Sequence, residues 1–160
     1  IGDVFYSEAA RNGKKDPEKL LLLSKTLFKK LALIGLLPFI LLIIFSPAFF
    51  SIVFGSSWIE AGNYARIIAI YIYARFLFMP ISGIYPVFEK QKIGLLLDSI
   101  RVAMVVIGFV FVILFELNVY WALIIYSIIM IIIYFITYLF GQKIITVEIY
   151  NKHVKCKGIK

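Results

Sequence analysis

Charge is what this sequence has least of. Asp, Glu, Lys and Arg make up 16% of its 160 residues, against about 25% in an ordinary soluble domain. A single cysteine, Cys156, excludes an internal disulfide, and together with the single histidine, His153, it falls short of any recognised zinc ligand count. Paired acidic motifs, a phosphate-cradling P-loop and an HExxH helix are all missing. A membrane-surface transferase needs a base or metal-binding carboxylates gathered at one face. Here Asp98 and Glu89 stand near one end of the apolar runs and Glu116 near the other. The chain is therefore expected to be no enzyme and to need no metal or cofactor. No two glycines are spaced by four, so the close-packing GxxxG dimer motif is also absent.

Apolar residues fill the space that charge leaves. They make up 62% of the chain, and its mean hydropathy is +0.98, the composition of an integral membrane protein. Four runs, 31–54, 67–88, 93–115 and 119–140, carry few charges or none; they are termed spans A, B, C and D. At about 1.5 Å per residue each reaches across a hydrocarbon core of roughly 30 Å. Backbone groups in lipid have no water partner, and the runs lack the apolar-polar alternation of barrel strands, so helices are required. The expected fold class is all-α: a polytopic membrane protein with four transmembrane helices.

The basic residues set the expected orientation. Of 17 Lys and Arg, 14 lie in the first 30 residues, in the B to C connection at Lys90 and Lys92, or after Gly141. The A to B and C to D connections hold only Arg66, beside Glu60 and Glu116. By the positive-inside rule both ends are cytoplasmic, and Trp58, Tyr64, Tyr120 and Trp121 fall where interfacial anchors belong. The net charge of +8 then reads as a rim facing anionic headgroups and calls for no nucleic acid. Three parts follow: a cytoplasmic segment with an interfacial helix at 1–30, a four-span domain at 31–140 and a basic cytoplasmic tail at 141–160. Asp16 and Pro17 match a helix cap and first helical position, and residues 17–30 suit either a helix in the interface or an extension of span A. Pro38, Pro47, Pro80 and Pro86 each remove a donor and predict kinks whose freed carbonyls must find partners.

One charge lies where lipid would reject it. Arg75, in the stretch "AIYIYARFLFMPISG", sits about 20 Å from the cytoplasmic end of span B, near mid-bilayer. An arginine there costs about 2.5 to 3.5 kcal/mol unless it faces protein or water. Tyr64, Tyr71, Arg75, Ser82 and Tyr85 recur at helical spacing and are expected on one face. Arg75, Tyr71 and Ser82 are thus candidate substrate-binding residues of a cavity; the alternative is that Arg75 ties down a kinked backbone. Asp98 and Arg101, three apart in span C, are expected to pair as a structural lock or lining. Asp98 is about 12 Å shallower than Arg75, too far for a direct bond.

Two stretches, "IGDVFYSEAARNG" and "IIFSPAFFSIVFGSSWIEAGNYARIIAIY", with Phe54, Gly55, Trp58, Ala61, Gly62 and Ala65 the most specific piece, resemble the C-terminal part of bacterial polysaccharide-export flippases. These belong to the multidrug, oligosaccharidyl-lipid and polysaccharide exporter superfamily, and the resemblance covers about residues 1–141. It implies that the four spans are the last four of a twelve-helix exporter whose two lobes alternate access around a central cavity. It further implies an inner-membrane protein that flips undecaprenyl-pyrophosphate-linked oligosaccharide for surface polysaccharide such as O-antigen. A chain beginning at Ile1 fits a piece of a longer protein, with missing N-terminal helices as its partners. The alternative is a small four-helix subunit or scaffold that associates with another membrane protein.

Overall fold

A computed structural model describes residues 2–13 and 15–157. Ile1, Lys14 and residues 158–160, including Lys160 of the basic tail, lie outside the described residues, as do the side chains of residues 2–4, 12 and 155–157. Every described element is helical: α1 (Gly2–Asn12), α2 (Pro17–Phe54), α3 (Ile59–Phe78), α4 (Ile84–Val87), α5 (Gln91–Leu114) and α6 (Val119–Lys157). Among the described residues four helical segments are long and apolar enough to cross a membrane, which makes the fold the all-α, four-span class that the composition requires.

Helix α2 starts where its cap chemistry places it. Asp16 Oδ1 accepts from the Lys19 amide at 3.2 Å and Pro17 opens the first turn, so two of the donors a helix start cannot use are either paired or removed. The helix then runs for 38 residues without a break between Lys30 and Leu31, and Pro38 and Pro47 stay inside it. At 1.5 Å per residue it is about 57 Å long. The lysine-leucine stretch and span A are one rod.

The turn into α3 is shorter than hydropathy implies. Only Gly55 and one 3₁₀ turn, Ser56–Trp58, separate the two helices, so α3 begins ahead of the apolar run and carries Arg66 on its surface rather than in a loop. Gly55 has φ +100° with nothing within 4 Å of where a Cβ would stand. Its backbone angle, not crowding, calls for glycine.

Span B is not one helix. It ends as α-helix at Phe78, passes through a 3₁₀ segment, Met79–Gly83, and finishes as the single turn α4. The prolines account for this, since Pro80 cannot donate to the Phe76 carbonyl nor Pro86 to that of Ser82. Irregular backbone at such a place must be buried in protein, and α1 provides the cover. Phe5 and Ala9 of α1 pack with Leu20 of α2, Ile145 of α6 and Ile81, Ile84 and Phe88 of the broken stretch. Ile84 and Ile145 are 0% exposed, so the densest packing lies at this end rather than at mid-span.

In the bundle α3 packs between α2 and α6, while α5 packs chiefly on α6. Two left-handed glutamates end the turns around α5: Glu89 at φ 57° and Glu116 at φ 50°. Each is followed by a six-to-one bond, Lys90 N to Tyr85 O at 2.7 Å and Leu117 N to Val112 O at 3.0 Å, which satisfies the last carbonyls of the preceding segment. Beyond α4, α2 and α6 continue side by side, joined by Gln142 Nε2 to Ser24 Oγ at 2.9 Å, Lys152 Nζ to Lys15 O at 2.7 Å and His153 Nε2 with Glu18 Oε1 at 2.9 Å. This end gathers α1, Lys90, Lys92 and the tail and is the basic end of the bundle. The opposite end holds Trp58 and Trp121, with the rings of Tyr64 and Tyr120 5.2 Å apart.

Candidate functional site: a cation-lined cavity

Helix α3 carries different chemistry on its different faces. Tyr73 and Phe76 turn to α2, where the Tyr73 hydroxyl donates to Ala32 O at 2.9 Å and Phe39 packs against both rings. A Cβ on Gly35 would come within 2.9 Å of the Phe76 ring, so glycine lets the rings in. Phe78, the last α3 residue, is held by Phe28 of α2 and by Tyr138 and Phe135 of α6, at ring separations of 5.3 to 5.6 Å. These contacts fix α3 just above its break and thereby orient the face that carries Arg75.

That face opens on a cavity of about 750 Å³. Leu31, Ile72, Phe76, Met79 and Pro80 give it apolar walls. Its polar groups are the Arg75 guanidinium, the phenols of Tyr71 and Tyr6 and the Ser82 hydroxyl. All three residues expected at a cavity, Arg75, Tyr71 and Ser82, therefore border the same space. Tyr6 joins them from α1, a residue that no periodicity or spacing places there; its ring lies against Gly83, where a Cβ would stand 3.2 Å from Tyr6 Cδ2.

Arg75 is exposed in this cavity. Its Nε donates to Met79 Sδ at 3.4 Å, and sulfur is a weak acceptor. Among the described residues the two terminal nitrogens, which carry four N–H donors in a planar fork, have no hydrogen-bond partner. Tyr71 is set by an edge-on contact with Tyr126 of α6, centroids 5.2 Å apart. The Ser82 hydroxyl donates to Met79 O at 2.7 Å within the 3₁₀ segment. Its proton is occupied, and what Ser82 offers the cavity is its lone pairs.

The five-member stripe is not preserved as a single face. Within α3 it holds, since Tyr64 meets Tyr120 of α6 two turns before Tyr71 meets Tyr126 of α6, but beyond α3 Tyr85 is buried and donates to Thr137 O on α6 at 2.7 Å. The cause is the change from 3.6 to about 3.0 residues per turn through Met79–Gly83, which turns the residues beyond it out of α-helical register.

A different arginine, Arg66, is bound to backbone carbonyls beside a proline. Arg66 Nε donates to Ile43 O at 2.7 Å and its Nη2 to Ile44 O at 3.2 Å. Ile43 lies four residues before Pro47 and loses its helical donor to that proline. Gly62, one turn before Arg66, makes the reach possible: a Cβ there would be 2.4 Å from Pro47 Cα and 2.8 Å from Ser46 O. Hydropathy alone puts Arg66 in the connection between spans A and B. The signal was the i−4 carbonyl of Pro47 together with the Gly62 to Arg66 spacing.

Asp98 and Arg101 pair as their spacing predicts, Arg101 Nη2 to Asp98 Oδ1 at 2.8 Å, with side chains 30% exposed for Arg101 and 62% for Asp98. The Arg101 guanidinium also lies 5.7 Å from the centroid of the Tyr134 ring on α6, so the pair ties α5 to its neighbour. Neither residue borders the Arg75 cavity. No protein-family model, no curated protein and no solved structure matches this chain.

Proposed function

We propose that the chain is part of a polysaccharide exporter of the multidrug, oligosaccharidyl-lipid and polysaccharide superfamily. It works in the inner membrane with both ends cytoplasmic, and in the whole transporter it helps flip lipid-linked oligosaccharide outward by alternating access. The observation that carries this reading is a guanidinium whose four terminal N–H donors have no partner among the described residues, on a cavity of about 750 Å³ within a membrane-spanning helix. The collection of basic residues at one end of the bundle supports the orientation.

The chemistry follows from the substrate class. A pyrophosphate resists entry into hydrocarbon, and a planar fork of N–H donors can grip two of its oxygens at once. In this reading Arg75 holds the anionic linkage. Tyr71 donates a phenol to it or to the first sugar, and the lone pairs of Ser82 accept from a sugar hydroxyl. The apolar walls at Leu31, Ile72 and Phe76 suit the beginning of the polyprenyl chain. Two lobes are needed for alternating access, so the preceding helices of the exporter are required partners.

The test uses the whole transporter in cells. Charge-assisted hydrogen bonds contribute about 1.5 to 3 kcal/mol, so Arg75→Ala is expected to lower surface polysaccharide about 10-fold or more, with Arg75→Lys intermediate. Surface polysaccharide at the unmodified level in an Arg75→Ala strain, with the protein present in the membrane, overturns the reading.

A further inference from the structure

A second cavity lies at the basic end and shares no lining residue with the Arg75 cavity. It has a volume of about 330 Å³ and is formed between the α4 to α5 turn and α6. Lys90 from the turn and Lys143 from α6 border it, with Ile93, Ile144 and Val147 as apolar wall and Glu148 as its one acidic group. Both lysines are exposed, and neither side chain has a hydrogen bond or ion pair among the described residues. This distinguishes them from Lys152, which is bound to Lys15 O.

Position identifies the ligand class. Lys90 precedes the first turn of span C, and Lys143 follows the last residues of span D, so both ammonium groups stand where the apolar helices leave the hydrocarbon. Directly beyond the cavity, Leu95 and Leu96 of α5 and Phe140 of α6 are exposed, which suits a surface covered by acyl chains. A cationic mouth at headgroup depth with an apolar floor leading onto a lipid-facing groove matches one kind of molecule, a lipid with an anionic head. Lys90 also forms the N-cap of α5 without a side-chain cap bond, so the first amides of that helix point toward the same headgroup layer.

We propose that Lys90 and Lys143 form a binding site for an anionic glycerophospholipid, which clips α5 to α6 at the basic end. The phosphate lies between the two ammonium groups, and the acyl chains run along the α5 to α6 seam over Ile93 and Phe140. Glu148 discriminates against lipids with further negative charge on that side and favours a single phosphodiester. The clip matters because α5 packs chiefly on α6, and a lipid bridging their ends adds to a sparse interface.

The experiment is native mass spectrometry of the full chain released from detergent with phosphatidylglycerol, phosphatidylcholine or inorganic phosphate. Helix content and thermal unfolding are followed by circular dichroism. Phosphatidylglycerol is expected to be retained over phosphatidylcholine, with Lys90→Gln and Lys143→Gln each lowering retention about 5-fold, as expected for one lysine at an anionic surface. Lys29→Gln, which removes the same charge away from the cavity, is expected to leave retention unchanged. Equal retention of the two lipids overturns the proposal, as does retention by the Lys90→Gln/Lys143→Gln double variant at the unmodified level. An equal loss in Lys29→Gln reduces the effect to net charge and also overturns it. Phosphate binding that competes with phosphatidylglycerol, with no preference between lipids and free anion, replaces the lipid by a soluble phosphate ligand and overturns the acyl part. A double variant that unfolds is replaced by Lys90→Arg/Lys143→Arg, which keeps the charge and is expected to keep the lipid; loss of lipid there overturns the site.

Discussion

Arg66 on α3 supplies the hydrogen bond that Pro47 on α2 cannot, reaching the Ile43 carbonyl at 2.7 Å. A proline in a membrane helix leaves an orphaned acceptor in a medium without water, and a neighbouring side chain is one of the few remedies. The pairing makes a sharp prediction through a double-mutant cycle. Hydrogen bonds between membrane helices average about 0.6 kcal/mol and reach about 1.7, so Arg66→Met is expected to destabilise the bundle by about 1 kcal/mol. In a Pro47→Ala background the helix recovers its own donor, and the same Arg66→Met change is expected to cost clearly less. Thermal unfolding of the four variants in detergent gives the coupling; identical costs in both backgrounds would show that Arg66 acts independently of the proline.

Two glycines at different helix contacts predict opposite signs. At Gly62 a Cβ would meet Pro47 backbone atoms at 2.4 and 2.8 Å, and backbone within a proline-containing turn has little room to yield. Gly62→Ala is therefore expected to push α2 and α3 apart, cost about 1 to 3 kcal/mol and break the Arg66 contact. At Gly94 the nearest atoms are those of the Tyr85 side chain at 3.7 Å, an ordinary contact. Gly94→Ala is expected to be neutral or to stabilise α5 by up to about 1 kcal/mol through helix propensity. Unfolding midpoints of the two alanine variants in the same detergent check both; a destabilised Gly94→Ala with an unaffected Gly62→Ala contradicts the packing.

Much of the fold was legible because the bilayer leaves so few solutions. A run such as 93–115 without charge except Asp98 and Arg101 can only be a helix in lipid, and it is one. The Asp16-Pro17 start and the Asp98 to Arg101 pair were legible too, since both are local geometry that tertiary packing does not overrule. What escaped was everything set by contact between distant segments. Hydropathy cannot say that α1 will cover the broken stretch at Met79–Gly83, because Phe5 and Ala9 find Ile84 and Ile145 only in three dimensions. For the same reason Tyr6 was not anticipated beside Arg75. The periodicity that placed Tyr85 with Arg75 assumed an unbroken α-helix, and Pro80 invalidates that assumption one turn after the arginine. Arg66 was misplaced because the apolar run marks where lipid begins, while the helix begins at Ile59.

Hydration of the Arg75 cavity can be tested with the chain's cysteine content, since replacing Cys156 by serine leaves none. Thiol reagents of the methanethiosulfonate class react with the thiolate, and the thiolate forms only where water or positive charge supports it. In membranes carrying the full chain, Arg75→Cys in the Cys156→Ser background is expected to react with a small charged reagent. Ile107→Cys on the outer face of α5, a position 61% exposed and apolar on every side along its own helix, is expected to be slower by roughly 10-fold or more. Tyr71→Cys should follow Arg75→Cys, because both border the same space. A water-filled cavity requires this ordering. If Arg75→Cys and Ile107→Cys are equally inert, lipid fills the space around Arg75, and the donors of its guanidinium cannot be the ones that hold a hydrated pyrophosphate.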